Sequence, residues 1–332
     1  MNIGLCGYGV IGSGLFNLLK NNNDFKVLKV LDLPTKKDVL KDLYVDDYKK
    51  IVNDNNIDIV VEAMGGEKLP YIIIKEALTN KKHVVTSNKE VVSMHLKEFL
   101  ELAKANDVKF LFEASVGGGI PIICNLIHNI KSNKVNHIYG ILNGTTNFIL
   151  TKMNEGLQFE EALKKAQELG FAEADPTADL LGLDMVRKIA ILSDLAYDTF
   201  IDISNIPHFG IENVNKELID KLNIKGYNLK FVCESIRNND EISLIVSPVA
   251  VKKDSIISSI SYENNIVVFE SDTNKELSFI GKGAGANPTA SAMISDLYYI
   301  IKDELKIDLK LDKNYKIVNK EYKEYVEGVR VF

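Results

Sequence analysis

A short apolar run, Asn2 to Cys6, leads straight into Gly7-Tyr8-Gly9-Val10-Ile11-Gly12. This glycine pattern constrains the fold more than any other feature of the chain. In such a turn the first glycine allows the tight bend, the second lets backbone approach a diphosphate, and the third lets the following helix pack on the strand. The diphosphate would rest at the positive N-terminus of a helix beginning at Val10. Asp32 lies twenty residues after Gly12, at the end of an alternating β-branched run from Lys26. That is where an acid can hold an adenosine ribose hydroxyl. Asp32 favours NAD, while Lys36 and Lys37 just behind it leave NADP open.

The rest of the first third repeats the theme. Apolar strand-like runs (58–63, 83–86, 108–112) alternate with helical periods (10–20, 71–78, 90–105). Such alternation with short connections means a parallel sheet covered by helices. Beyond about residue 120 helices dominate from Phe148 to Ala196, and longer β-like runs follow at 229–234, 242–251 and 265–270. That is an α+β pattern with a mixed or antiparallel sheet. The expected architecture is α/β: an N-terminal Rossmann dinucleotide-binding domain over 1–120 and, over 121–282, an α+β region with a mixed sheet. A Lys- and Tyr-rich tail, 303–332, has strand character and no assigned role.

Composition excludes several classes. The formal net charge is −6 with acids and bases interspersed, and arginine occurs only at 187, 237 and 330, so no phosphate-tracking nucleic-acid surface is expected. No apolar run reaches the roughly 18 residues of a membrane span, and the glycine-broken N-terminus does not read as a signal peptide. Three scattered cysteines, 6, 124 and 233, argue against a disulfide framework or structural zinc and fit a reducing cytoplasm.

Several further segments carry chemistry. Ala63-Met64-Gly65-Gly66 and Thr86-Ser87-Asn88-Lys89 each follow a strand of the parallel sheet, so both should line the cleft at the strands' carboxyl ends. Lys89 falls in the first turn of a helix, a mildly unfavourable place for a cation, which points toward function. Glu113-Ala-Ser-Val-Gly-Gly-Gly-Ile-Pro121 ends another strand. A carboxylate among open carbonyls suits a hard cation, although a plain flexible turn also accounts for it. The densest polar cluster runs from Gly170 through Glu173, Asp175, Asp179 and Asp184 to Arg187-Lys188. Asp184 and Lys188 are spaced i, i+4, on one face of a helix that continues apolar through Leu192. They form either a surface ion pair or a buried carboxylate and proton-moving amine.

Taken in order, GYGVIG (7–12), EAMGG (62–66), TSNKE (86–90), EASVGGGIPI (113–122), NGTTNFIL (143–150), GFAEADPTADLLGLDMVRK (170–188) and GKGAGANPTA (281–290) resemble homoserine dehydrogenase over residues 1–300. The resemblance implies reversible NAD(P)-dependent oxidation of L-homoserine to L-aspartate 4-semialdehyde, the branch point toward threonine, isoleucine and methionine. It implies Lys188 as catalytic proton donor and Lys89 as the lysine touching substrate and nicotinamide. Gly170, Glu173, Asp184 and Lys89 would hold homoserine. Gly7, Gly9, Val10, Ile11, Gly12, Asp32, Gly65, Ser87, Lys89 and Gly285 would hold the cofactor. Glu113, by its carboxylate, and Val116, Gly118 and Ile120, by backbone oxygens, would bind a monovalent cation, usually sodium. Also implied are the return of 283–302 to the Rossmann domain, a substrate-binding, catalytic and dimerisation role for 121–282, and a homodimer through the mixed sheet, in some forms a tetramer. Many members carry a fused kinase or a regulatory ACT domain. This chain matches neither, so it reads as a short form without ACT-based threonine feedback.

Two other functions compete. Aspartate-semialdehyde dehydrogenase would need a nucleophilic cysteine, and Cys124 sits in an apolar run without an adjacent histidine. A catalytically silent NAD-binding redox sensor would keep the glycine loop but has no use for Glu173, Asp184 and Lys188 together.

Overall fold

The computed structural model describes residues 1–332. The backbone divides into two compact units, one formed by Met1–Ile127 with Ala284–Asp312, the other by His128–Gly283 with Lys313–Phe332.

The first unit is built on β1 (Asn2–Cys6), β2 (Lys26–Leu31), β3 (Tyr44–Val45), β4 (Ile59–Glu62), β5 (His83–Thr86) and β6 (Phe110–Leu111). They hydrogen-bond in the order β3-β2-β1-β4-β5-β6, and every pairing is parallel. Helices α1 (Val10–Leu19), α4 (Lys68–Thr79) and α5 (Lys89–Ala105) make the crossovers, with single turns α2 (Lys37–Leu40) and α3 (Lys49–Val52) between them. The strands are continuous apolar runs because both faces are covered: β4 and the last three residues of β5 are fully buried. The strand order reverses between β1 and β4. A ligand crevice is therefore expected outside their carboxyl ends, where Gly7 and Ala63 begin their turns. Helix α6 (Ile123–Asn129) follows the glycine-rich segment after β6.

The second unit holds β7 (Val135–Ile141), α7 (Gly144–Asn154), α8 (Phe159–Glu168), the turn α9 (Thr177–Leu180), α10 (Leu183–Tyr197), α11 (Lys216–Ile224), β8 (Tyr227–Asn238), β9 (Glu241–Lys252), the turn α12 (Ile256–Ser259), β10 (Asn264–Ser271) and β11 (Lys275–Lys282). Helix α13 (Ala286–Ile301) belongs to the first unit, and β12 (Lys316–Ile317), β13 (Tyr325–Val326) and β14 (Val329–Arg330) close the second. Its sheet runs β11-β10-β7-β8-β9-β12. The sheet is antiparallel except for β12 against β9, hence mixed. Helix α10 is buried along nearly its whole length, as its apolar stripe through Leu192 required.

Element ends differ modestly from the sequence pattern. Strand β6 shrinks to two residues because only Phe110 and Leu111 find partners on β5. Strand β7, unread in the sequence, lies at the centre of the second sheet. The tail splits: residues to Asp312 stay with the first unit, and those from Lys313 join the second. There Phe332 packs on the sheet's apolar cluster.

Candidate active site

The glycine turn of the first unit is built to the geometry its sequence demanded. A Cβ on Gly12 would lie 1.9 Å from the Gly7 carbonyl oxygen, so only glycine lets α1 close on β1. Gly9 stands at the N-cap of α1, exposed, with nothing within 4 Å of an added Cβ. No side chain caps that helix and its first turn holds no acid, so its leading amides face outward for an anion. Val10 is exposed beside them and Ile11 half-buried. The Asp32 carboxylate accepts the Tyr8 amide at 2.5 Å and the Leu33 amide at 2.7 Å, which pins the acid against the glycine turn.

The loops after β4 and β5 lie at the same end of the sheet. Gly65 is exposed and Ser87 half-buried. Asn88 caps α5 by accepting the Glu90 and Val91 amides, and Lys89 is the first residue of that helix. At the end of β4 the fully buried Glu62 accepts the Met64 amide and the Thr86 hydroxyl. The motif reading had passed over this residue, which looks like the last residue of an apolar strand. Gly285, the N-cap of α13, carries no side-chain cap either.

The segment after β6 presents a different chemistry. Buried Glu113 accepts three amides at the start of α6, from Ile122, Ile123 and Cys124, at 2.6, 2.8 and 2.7 Å. Burial pushes its carboxyl up, against those hydrogen bonds. Val116, Gly118 and Ile120 are buried, and their carbonyl oxygens accept no hydrogen bond. Buried carbonyls without a donor are costly, and with a carboxylate they make an oxygen set of the kind a hard cation takes. No group of three or more His, Cys, Asp or Glu side chains forms a metal cluster, so such a site depends on main-chain oxygens.

The second unit gathers the other polar residues. Asp184 and Lys188 are 3% and 7% exposed, which rules out a surface ion pair. Lys188 Nζ lies 2.7 Å from Asp184 Oδ2 and donates to the Leu142 carbonyl at 2.6 Å. Asn143, between β7 and α7, is the hub. Its Nδ2 donates to Asp184 at 2.9 Å and Asp179 at 2.8 Å, while its Oδ1 accepts the Thr146 amide and hydroxyl. Lys188 spends two of its three N–H bonds on protein acceptors and keeps one. Gly170 and Glu173 sit on an exposed loop, tethered to α7 by the Thr145 hydroxyl on the Phe171 carbonyl. Asp179 belongs to the polar cluster of the sequence, whereas Asn143 is marked only by the Asn-Gly-Thr-Thr run at a helix start.

Comparison with known proteins follows this geometry. A family model described as "Homoserine dehydrogenase" matches residues 121–298, and one described as "Homoserine dehydrogenase, NAD binding domain" matches residues 7–113. A homoserine dehydrogenase of Bacillus subtilis is 37% identical over 317 aligned residues, covering 91% of this chain and 73% of the relative. That of Methanocaldococcus jannaschii is 37% identical over 343 aligned positions, covering 92% of this chain and 100% of the relative. A crystal structure of a homoserine dehydrogenase from Thiobacillus denitrificans superposes with a TM-score of 0.90 at 31% identity, covering 96% of this chain and 79% of the other.

Proposed function

The chain belongs to the homoserine dehydrogenase family, and we propose from that premise how its residues divide the family's reaction. The chain is an NAD(P)-dependent oxidoreductase for the reversible oxidation of L-homoserine to L-aspartate 4-semialdehyde. The observation that carries the reading is the buried Lys188–Asp184 pair, with the lysine held by the Leu142 carbonyl and the aspartate by Asn143.

The nicotinamide, when bound, supplies the hydride acceptor. The uncapped start of α1, reached through Gly7, Gly9, Val10, Ile11 and Gly12, holds the diphosphate. Asp32 accepts a ribose hydroxyl, which makes NAD the preferred cofactor. Gly65, Ser87, Lys89 and Gly285 complete the cofactor contacts. Lys188 is the acid and base: its ammonium gives a proton to the nascent alkoxide in reduction, and the neutral amine takes the hydroxyl proton in oxidation. Glu173, Asp184 and Gly170 hold homoserine, the carboxylates taking its ammonium, and Lys89 contacts its polar end. Glu113, Val116, Gly118 and Ile120 hold sodium, whose charge would lower the Glu113 carboxyl that burial raises. No helix is long and apolar enough to cross a membrane, and the protein works in the cytoplasm. It forms a homodimer; β11, an edge strand that leaves Ile280 53% exposed, supports that assembly.

The test is nicotinamide absorbance at about 340 nm with L-homoserine, run with NAD and NADP separately and with or without sodium. Lys188→Ala should cost about a hundredfold or more in kcat. Little loss there with turnover abolished in Lys89→Ala would move the proton role to Lys89. Cofactor binding without turnover in the wild type would support the silent sensor.

A further inference from the structure

Glu62 ends β4 fully buried, and no step of the reaction above uses it. One carboxylate oxygen accepts the Met64 amide at 2.7 Å, and the other accepts the Thr86 hydroxyl at 2.5 Å. Thr86 Oγ1 in turn accepts the Asn88 amide at 3.0 Å. Asn88 donates its Nδ2 to the Gly66 carbonyl at 2.8 Å, and its Oδ1 receives the Glu90 and Val91 amides that open α5. One carboxylate therefore closes a ring of bonds joining the glycine turn after β4 to the helix start that carries Lys89.

We propose that Glu62 is a positioning residue for the dehydrogenase reaction, a carboxylate strut that fixes the Lys89-bearing start of α5 against the 63–66 turn. The proposal rests on the reading that Lys89 and Gly65 border the nicotinamide. The strut must be an ionised carboxylate because both of its partners donate. An amide, or a protonated acid, turns one acceptor into a donor. The Thr86 hydroxyl would then have to reverse while still receiving the Asn88 amide. Burial pushes the Glu62 carboxyl up to about 7, against the bonds from Thr86 and Met64, so the strut forms and breaks near neutrality. Its titratable neighbour is Cys6, the Cα partner on β1, whose thiol burial and the Glu62 charge keep protonated. Thr86, its partner on β5, and Asn88 do not titrate.

The experiment measures homoserine turnover and reduced-nicotinamide fluorescence binding from about pH 5.5 to 8.5 for wild type, Glu62→Gln, Thr86→Val, Thr86→Ser and Lys89→Ala. Thr86→Ser keeps the hydroxyl and should stay within about twofold of wild type. Thr86→Val and Glu62→Gln should each lose about tenfold in kcat/KM. The wild-type rise in cofactor binding through about pH 7 should be absent in Glu62→Gln. Should Glu62→Gln fail to fold, Thr86→Val carries the comparison. If Glu62→Gln or Thr86→Val folds with unchanged kcat, KM and pH profile, the strut is only structural and the proposal falls. If Lys89→Ala is itself unimpaired, the reading of Lys89 falls instead, which the two strut variants cannot mimic.

Discussion

At the residue scale, two contacts set the limits on substitution. Gly12→Ala would drive a methyl group into the Gly7 carbonyl. The turn must open, and we expect NAD(P) affinity to drop at least tenfold, read by fluorescence titration, with Lys188 and Asp184 in the other unit untouched. Asp184→Asn would leave Lys188 buried without its counter-charge, and breaking a buried pair in this way costs about 3–5 kcal/mol. Urea unfolding should show that loss, and turnover should fall with it. The i, i+4 spacing of Asp184 and Lys188 is legible in the sequence, and the burial of the helix excludes a surface ion pair. Asn143 and Glu62 were not readable in the same way. Asn143 reaches Asp184 across 41 positions of sequence, and Glu62 is marked only by what folds around it.

At the element scale, the start of α7 shows how one residue serves both a helix and a site. Asn143 caps the helix with its oxygen and steadies Asp179 and Asp184 with its nitrogen. The two jobs separate by mutation. Asn143→Ser keeps a capping oxygen but loses the amide donors, so stability should hold within about 0.5 kcal/mol while kcat/KM for homoserine falls. Asn143→Ala should lose activity and a further 1 kcal/mol or so of stability. Helix α10 begins at Gly182, with φ +86°, and a Cβ there would lie 2.8 Å from the Phe231 ring. The parallel unit was legible because five of its six strands are short apolar runs beside periodic helices; the two-residue edge strand β3 leaves no such pattern. Strand β7 was not, because Asn136 and His137 interrupt its pattern. His137 is tolerated there because Glu234 and Glu270, on the flanking strands, lie against its ring nitrogens. Strand β11 was missed because its exposed alternate residues are charged or small, as on an edge.

For the whole molecule, the ionic cluster on the second sheet sets acid stability. Buried Glu234 is pressed upward by desolvation, yet His137 and Arg330 hold its carboxyl down at about 2. A depressed carboxyl contributes stability that is complete above its unfolded value near 4.5 and lost as pH falls from there toward 2. The shift amounts to roughly 3 kcal/mol. Thermal melts should therefore lose Tm below about pH 4.5, and Arg330→Met should bring that loss to higher pH by removing the guanidinium. Arg330 lies in the tail, whose role the sequence had left blank; only folding shows that the tail ends on the sheet.

The division of the backbone into units also has a consequence during synthesis. Residues 1–127 leave the ribosome before residues 128–283, but the helix that completes their unit, α13, comes after that whole stretch. The nucleotide-binding half then has all six strands of its sheet but lacks its last helix while the stretch 128–283 is made. The order of translation thus leaves both units incomplete until the stretch 284–332 is made.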